Sequence, residues 1–322
     1  MSSGSGDGLS PAPNTGARSL YISIPWASPF EGVEGVVPRG SDWAVHGWRQ
    51  IPHRLREAWR IHRAARDVMV LNASMEIYFL CLFSLLSKRR LVAYDFLRPR
   101  ARWAVPVGRL LLRRVDRWLV VRSSDIGMLG SDFRVPADRC EFVPYPGTPA
   151  GGTTELGGYV YAAGIAHRDW PTLIAAARLC DVPFIISSDP QLTDVPANVD
   201  ARPLVPPADG RRLAAGAQLV VVPLVDTSLP AGPTVVVDAQ ATGKAVIATD
   251  TGGARDYVDN GRTGWLVPPG DAPAMARVIG EVFDDEELLE RVGRTAAAEM
   301  PSPRACLDIA CEAAARDSSL LR

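Results

Sequence analysis

Short, continuously apolar segments alternate with helix-forming segments along this chain, and the alternation begins a second time near Tyr159. The first series extends from Leu20 to Pro144 and the second from Tyr159 to Val267. A stretch rich in Gly, Pro and Thr, residues 146–158, separates them. Strands that are apolar on both faces are typical of a parallel sheet covered by helices. We therefore predict an α/β protein with two doubly wound domains.

The length of 322 residues agrees with two domains, since a single domain usually has about 100–200 residues. The first residues are polar and rich in Gly and Ser, a composition that does not form a core. We predict a disordered tail at 1–18, a first domain at 19–148, a linker at 149–157, a second domain at 158–300, and a helix at 301–322 that crosses back to the first domain.

The charges are divided unevenly, although the net charge is only −1. Residues 1–150 contain 21 Lys and Arg against 13 Asp and Glu, and the rest of the chain contains 14 against 23. Basic residues concentrate at 54–66 and 88–90, which either dock on an anionic membrane or are solvated helix faces. The aromatic and basic pattern of a nucleic-acid module is absent from the sequence, so we expect no nucleic-acid partner.

Cysteine spacing and hydropathy limit the cellular compartments that this sequence suits. The five cysteines include no Cys-x-x-Cys pair and no metal-ligand spacing, so we expect no metal site and a reducing compartment. The longest apolar run, residues 77–86, is shorter than the ~20 residues of a membrane-spanning helix. The amino terminus lacks the apolar segment of a signal peptide. We expect a cytoplasmic protein, with peripheral contact at the inner membrane face as a further option.

Two features near residue 235 suit a nucleotide. Gly232 precedes a predicted helix, whose free amino-terminal amides can bind phosphate. Asp238 lies about a turn and a half along that helix, where a carboxylate can accept hydrogen bonds from a ribose diol. The same residues also suit an ordinary loop and helix with Asp238 as a surface charge. A dinucleotide oxidoreductase is disfavoured, because neither half has Gly-x-Gly-x-x-Gly after a strand.

The residue order from Asp238 onward resembles that of a known enzyme family. Asp238-Ala239 is followed by Gly243-Lys244-Ala245-Val246-Ile247-Ala248-Thr249, by Gly252-Gly253 and by a segment that begins Gly261-Arg262-Thr263-Gly264 and ends Leu266-Val267-Pro268-Pro269-Gly270. This order resembles the donor domain of the retaining glycosyltransferases called glycosyl transferases group 1, or glycosyltransferase family 4. The resemblance covers residues 158–300. It implies the GT-B architecture, in which two Rossmann-like domains face a cleft, and a nucleoside diphosphate sugar as donor without cofactor or metal.

The resemblance also implies roles for single residues of the donor side. Asp238 takes the place of the family's second Glu and would bind the ribose hydroxyls. The sugar and the diphosphate would be held by a set of turn and helix-start residues, namely Gly232, Pro233, Thr234 and Gly253. Gly164 matches a family glycine, and Arg168 takes the position of a family Lys as a catalytic cation. A fixed cation there would stabilise the charge on the departing diphosphate, although Arg168 could also be a solvated residue at a helix start.

One carboxylate of the family is missing. Eight residues before Asp238, where the family has its first Glu, this chain has Pro230. A subset of such enzymes carries an Ala-Gly-x-Thr turn there instead, and Ala231-Gly232-Pro233-Thr234 has that form. We therefore keep the enzyme interpretation.

Candidate residues in the first domain follow predicted strands. Asp95 comes directly after Tyr94 and either acts in catalysis, by orienting the donor sugar or the acceptor hydroxyl, or caps a helix. The candidates for the acceptor side lie at the end of the preceding strand and in a Gly- and Pro-rich loop, and they are Asn72, Ser74 and Gly32.

The resemblance, together with these residues, implies transfer of a sugar from a nucleoside diphosphate sugar to a hydroxyl of a sugar, lipid-linked or small-molecule acceptor, with retention and without metal. Two alternatives stay open. Pro230 would suit a catalytically silent, glycosyltransferase-like partner subunit. A nucleotide-sugar epimerase of the same fold would need converging carboxylates and a histidine such as His167.

Overall fold

A computed structural model describes residues 20–23, 51–64, 68–72, 75–86, 90–99, 101, 103–150, 157–226 and 233–315. The chain forms two compact units. Unit 1 comprises the chain up to Val121, Leu129–Val143 and the chain from Leu307 onward, and unit 2 comprises Arg122–Met128 and Pro144–Cys306. The predicted tail at 1–18 and most of the predicted linker lie outside the described residues.

Unit 1 is built on a five-stranded parallel sheet whose strands are neighbours in chain order. The strands are β1 (Leu20–Ser23), β2 (Val68–Asn72), β3 (Arg90–Tyr94), β4 (Arg117–Val120) and β5 (Cys140–Phe142). The helices are α1 (Ile51–Ala64), α2 (Glu76–Phe83), α3 (Ala104–Leu111) and α4 (Ser124–Phe133), with 3₁₀ turns at Ser84–Leu86, Leu112–Arg114 and Ala137–Arg139. The residues of α4 up to Met128 belong to unit 2. Because right-handed crossovers that advance in one direction leave their helices on one face, α1, α2 and α3 form a single layer.

Unit 2 is built on a six-stranded parallel sheet with the order β11-β10-β9-β6-β7-β8. The strands are β6 (Val160–Gly164), β7 (Phe184–Ser188), β8 (Val199–Pro203), β9 (Leu219–Val222), β10 (Val246–Thr249) and β11 (Trp265–Val267). The helices are α5 (Trp170–Ala177), α6 (Pro207–Gly216), α7 (Pro233–Ala241), α8 (Gly252–Arg255), α9 (Ala272–Val282), α10 (Glu286–Glu299) and α11 (Pro303–Ala315), of which α11 passes into unit 1 at Leu307.

Successive residues of the central strands of unit 2 belong to two different cores. Val221 packs with Leu173 of α5 in one core, whereas Val220 packs with Val236 of α7 in the other. The sheet is therefore covered on both faces, as its continuously apolar strands predicted. The two helices that follow β6 and β9 lie on opposite faces of the sheet.

Two glycines allow α10 to lie close to the end of α7. Gly243 has φ +75° directly after α7, and its N–H bonds to the carbonyl oxygen of Gln240 at 2.9 Å. A Cβ on Gly293, which lies in α10, would overlap the carbonyl oxygen of Gly243. The family-like glycine at 243 thus serves a helix end and a close backbone approach. Among the described residues, no helix is long and apolar enough to cross a membrane.

The close approach predicts opposite effects of one substitution in two helices. Gly293→Ala should lower the free energy of unfolding by about 1–3 kcal/mol, because the new methyl overlaps the backbone of Gly243. Gly280→Ala, in α9, meets no atom within 4 Å and should raise it by about 0.5–1 kcal/mol. Urea unfolding of both variants measures the difference, and equal effects would contradict this packing.

Candidate functional site

The strand order of unit 2 reverses between β6 and β9. From β6 the chain proceeds through β7 to β8 on one side, and from β9 through β10 to β11 on the other. In open parallel sheets, ligands bind at the carboxyl ends of the strands where the order reverses. The loops after β6 and β9 therefore flank the position at which unit 2 is expected to bind a ligand.

Backbone hydrogen bonds join these two loops. Arg168 and Leu224 form an isolated antiparallel bridge, and the N–H of Val225 donates to the carbonyl oxygen of His167 at 3.0 Å. The N–H of Leu224 also donates to Oγ1 of Thr249, at the end of β10, over 2.8 Å. Thr249 is buried, so this hydrogen bond fixes the loop after β9 to the end of β10. The loops are thus held by three strand ends.

Arg168 contributes a cation to this edge of the sheet. Its Nε donates to the carbonyl oxygen of Ala163 at 2.9 Å, and its Nη1 donates to that of Ala166 at 3.1 Å. Within the described residues no carboxylate lies within ion-pair distance of this guanidinium. Burial lowers the pKa of Arg168 to about 10, so the side chain remains charged at neutral pH. A half-buried cation that only carbonyl oxygens hold is suited to an anionic ligand.

Gly164 makes room for this guanidinium. The residue ends β6 with φ +134°, a backbone conformation that favours glycine. A Cβ at this position would lie 2.6 Å from Nε and Nη2 of Arg168. The guanidinium plane therefore lies directly over the glycine, which explains why this predicted donor-side residue has no side chain.

Asp238 contacts two residues that are distant from it in the chain. It is half-buried on α7, and its Oδ1 accepts a hydrogen bond from the N–H of Thr148 at 2.7 Å. Oδ2 lies 3.8 Å from Nη1 of Arg211. Desolvation raises the pKa of Asp238, whereas the Thr148 amide and the Arg211 charge lower it. The carboxylate is only partly open to solvent, because the chain around Gly147 packs against α7 so closely that a Cβ there would overlap the carbonyl oxygen of Val237.

The other predicted donor-side residues are partly within the described chain. Pro233 and Thr234 begin α7, and Thr234 is exposed. Gly253 is half-buried in the short helix α8, at the end of the β10 loop. Gly232 and Pro230 lie outside the described residues. The structure thus brings Gly164 and Arg168 together at the β6 edge, while the predicted cradle for the sugar is described only in part.

Asp95 is the clearest candidate in unit 1. It directly follows β3, is buried, and has φ +47°, which is uncommon for a residue other than glycine. Its N–H donates to the carbonyl oxygen of Leu119 at 2.9 Å. Asn72 ends β2, the strand that pairs with β3. Ser74 and Gly32 lie outside the described residues. A buried carboxylate in a left-handed backbone at a strand end is typical of functional positions.

Three residues that contact the candidate site residues or their loops were not singled out from the sequence. Thr148 and Arg211 contact Asp238 from positions 90 and 27 residues away in the chain, which no local pattern reveals. Thr249 could have been found, because it ends the recognised Gly243–Thr249 segment at a strand end.

A separate cavity of about 230 Å³ lies near Tyr145 and Tyr257. Its lining includes arginines that already form ion pairs, so it lacks the unsatisfied charge seen at Arg168.

Comparisons with known proteins agree with this geometry. Residues 160–285 match the family described as Glycosyl transferases group 1. A D-inositol 3-phosphate glycosyltransferase of Streptomyces scabiei is 44% identical over 68 residues, which are 21% of this chain and 15% of that protein. The aligned part of the chain thus spans far less than two thirds of this relative.

Solved structures extend the likeness to both units. Anabaena Alr3699/HepE in complex with UDP has a TM-score of 0.65 at 18% identity, over 82% of each chain. Sucrose-phosphate synthase from Thermosynechococcus elongatus has a TM-score of 0.66 at 16% identity, over 87% of this chain and 80% of that one. The chain has the GT-B glycosyltransferase fold. The predicted α/β class with two Rossmann-like domains is therefore confirmed, and the matched family segment includes Arg168 and Asp238.

The contact between Gly164 and Arg168 predicts a selective loss of anion binding. Gly164→Ala should weaken the binding of a nucleoside diphosphate by about tenfold or more, because the new methyl displaces the guanidinium and a hydrogen bond to a charged group contributes about 1.5–3 kcal/mol. UDP, GDP and ADP, titrated by calorimetry, would measure the loss. Gly158→Ala is the matched control, since Gly158 also has positive φ (+62°) but meets no atom within 4 Å. Equal losses in both variants would mean that backbone strain alone is responsible.

Proposed function

We propose that the chain is a glycosyltransferase of family 4 that moves a hexose from a nucleoside diphosphate sugar to an acceptor hydroxyl, with retention of configuration and without a metal. The observation that carries this proposal is Arg168, a half-buried cation without a carboxylate partner among the described residues, at the reversal of strand order in unit 2. The family match at 160–285 and the GT-B fold support the same assignment.

The proposed chemistry assigns Arg168 to the leaving group. As the bond between the anomeric carbon and the phosphate oxygen breaks, negative charge grows on the diphosphate, and a fixed guanidinium stabilises that charge. The acceptor oxygen forms its bond on the same face of the sugar, and its proton passes to the departing phosphate oxygen. This route needs no separate enzymatic base. Asp95 is proposed to orient the donor sugar or the acceptor hydroxyl.

The nucleoside end of the donor is assigned to Asp238. A carboxylate can accept hydrogen bonds from both hydroxyls of a ribose, and among the described residues Oδ2 of Asp238 has only the longer contact to Arg211. The first turn of α7, at Pro233 and Thr234, is proposed to hold the diphosphate through its backbone amides, together with Gly232 and Gly253.

A catalytically silent partner subunit is the second candidate, and Pro230 in place of the family's first Glu is the observation that favours it. The two functions differ in one measurable property. A transferase slowly releases nucleoside diphosphate from its nucleotide sugar in the absence of acceptor, whereas a silent subunit binds the nucleotide and releases none.

Arg168→Ala should mainly lower the turnover of nucleotide-sugar hydrolysis. The expected fall in kcat is about 10²–10³-fold with little change in KM, because the interaction strengthens only as charge develops. Arg168→Lys, which keeps the charge, should retain part of the rate. Wild-type hydrolysis in excess EDTA should equal that without it. A raised KM with unchanged kcat would make Arg168 a ground-state anchor, and loss of the rate in EDTA would refute metal independence.

Asp238→Ala should weaken nucleoside diphosphate binding by about 10- to 150-fold, because a hydrogen bond to a charged group contributes about 1.5–3 kcal/mol. Asp238→Glu restores the family's residue and should keep much of the affinity. Thr242→Val is a matched control, since Oγ1 of Thr242 accepts from the neighbouring amide of Ala150 at 3.1 Å and so also fixes this segment. If Thr242→Val lost as much affinity as Asp238→Ala, Asp238 would act through the segment and not on the ribose.

A further inference from the structure

The layer formed by α1, α2 and α3 in unit 1 carries an unusual outer surface. Neighbouring helices of the layer touch through side chains, since the rings of Trp59 and Phe83 lie 5.2 Å apart and those of Tyr78 and Trp103 lie 6.0 Å apart. Arg54 of α1 also pairs with Glu76 of α2 at 2.7 Å. These contacts place the three helices side by side, with their outer faces forming one surface.

Large apolar side chains are exposed on this surface. Eight of the 13 exposed large apolar side chains in the described residues belong to it. We call this set the apolar face, and its members are Ile51, Leu55, Trp59, Leu82, Leu85, Trp103, Val107 and Leu110. Their spacing of three or four residues in α1 and α3 gives each helix a continuous stripe. Contiguous exposed apolar surface of this kind marks a site of interaction.

The exposed charged side chains of α1, α2 and α3 and of the turn after α3, as far as the structure describes them, all have one sign. Nε of one of them, Arg109, also donates to the carbonyl oxygen of Asp132 in α4. The exposed charged side chains that the structure describes in these helices and the turn after α3 are Arg56, Arg63, Arg109 and Arg113. Glu76 is half-buried and already paired, and the side chain of Glu57 lies outside the described part. The described charges of the surface are therefore positive, in agreement with the excess of basic residues in the first half of the chain.

Exposed apolar side chains together with arginines indicate what binds to the apolar face. Arginine and tryptophan beside aliphatic side chains are characteristic of protein surfaces that lie in the headgroup region of an anionic bilayer. A second copy of the same face would bring arginines against arginines, which opposes symmetric association. Each arginine near an anionic surface strengthens binding by about fivefold, so four of them complement the apolar contact.

We propose that unit 1 docks on the surface of an anionic lipid bilayer through the apolar face, with Arg56, Arg63, Arg109 and Arg113 contacting lipid headgroups. Binding through basic residues alone would be lost at high salt. Here the aliphatic and indole side chains enter the bilayer and give the binding a salt-resistant part. This proposal does not depend on the proposed glycosyl transfer, since vesicle binding is measured without donor or acceptor.

Flotation of the full chain with vesicles tests the proposal. Binding is expected to vesicles that contain phosphatidylglycerol and not to pure phosphatidylcholine, and it should weaken but persist above physiological salt, where the screening length is about 8 Å. Leu110→Glu should lower the affinity by about tenfold or more, because Leu110 is 69% exposed and loses its burial in lipid. Leu179→Glu is the matched control, since Leu179 is 61% exposed in unit 2 and should leave the affinity unchanged. Circular dichroism verifies that both variants are folded.

A second readout follows the indoles directly. Brominated lipids should quench the fluorescence of the wild type, and Trp59→Phe and Trp103→Phe should each reduce the quenching. Arg113→Glu should weaken binding to the anionic vesicles, whereas Arg277→Glu, an exposed arginine of α9, should not. Equal binding to neutral and anionic vesicles, no binding to either, or equal losses in Leu110→Glu and Leu179→Glu would overturn the proposal. Light scattering that shows a wild-type dimer which Leu110→Glu dissociates would instead assign the face to a second copy.

Discussion

The reversal of strand order between β6 and β9 determines where unit 2 can receive a ligand. The chain leaves β6 toward α5 on one face of the sheet and leaves β9 toward α7 on the other. In open parallel sheets a ligand is expected at the carboxyl edge where the order reverses, whatever side chains line it. The backbone bridge between Arg168 and Leu224 joins the two loops at this edge. Every chemical assignment in unit 2 depends on that arrangement.

The residues that make the family recognisable are largely architectural. Gly243 ends α7 in a left-handed conformation, and a Cβ on Gly264 would lie 2.5 Å from the carbonyl oxygen of Val246. Gln240 donates from Nε2 to the carbonyl oxygens of Tyr257 and Thr263, which ties α7 to the segment before β11. The matched segment 160–285 thus contains residues that serve the packing of α7, β10 and β11. The proposed chemistry rests instead on Arg168 and Asp238.

Most elements of the fold could be predicted from the sequence, because apolar periodicity and Gly or Pro breaks are local signals. The sequence predicts a strand at 218–222 and a helix at 233–242, and the structure has them at Leu219–Val222 and Pro233–Ala241. The surroundings of Asp238 could not be predicted, since its partner Thr148 is 90 residues away and meets it only after folding. The exposure of the apolar stripe of α1 could not be predicted either. The smaller Ala58 and Ile61 form the buried side of that helix, so Trp59 and Leu55 point outward instead of into the core.

In the proposed nucleotide site, Asp238 connects α7 to the chain between Pro144 and Ala150 through Thr148. An ionised carboxylate offers about four lone-pair positions on two oxygens, and the amide of Thr148 occupies one of them on Oδ1. A ribose that binds at Oδ2 therefore leaves the Thr148 contact intact, whereas one that spans both oxygens shares Oδ1 with it. In either case the Thr148 hydrogen bond already orients the carboxylate without a ligand. Asp238 reaches this amide from α7. The same bond that reduces the exposure of the carboxylate would also reduce the entropy lost in the proposed binding of a ribose.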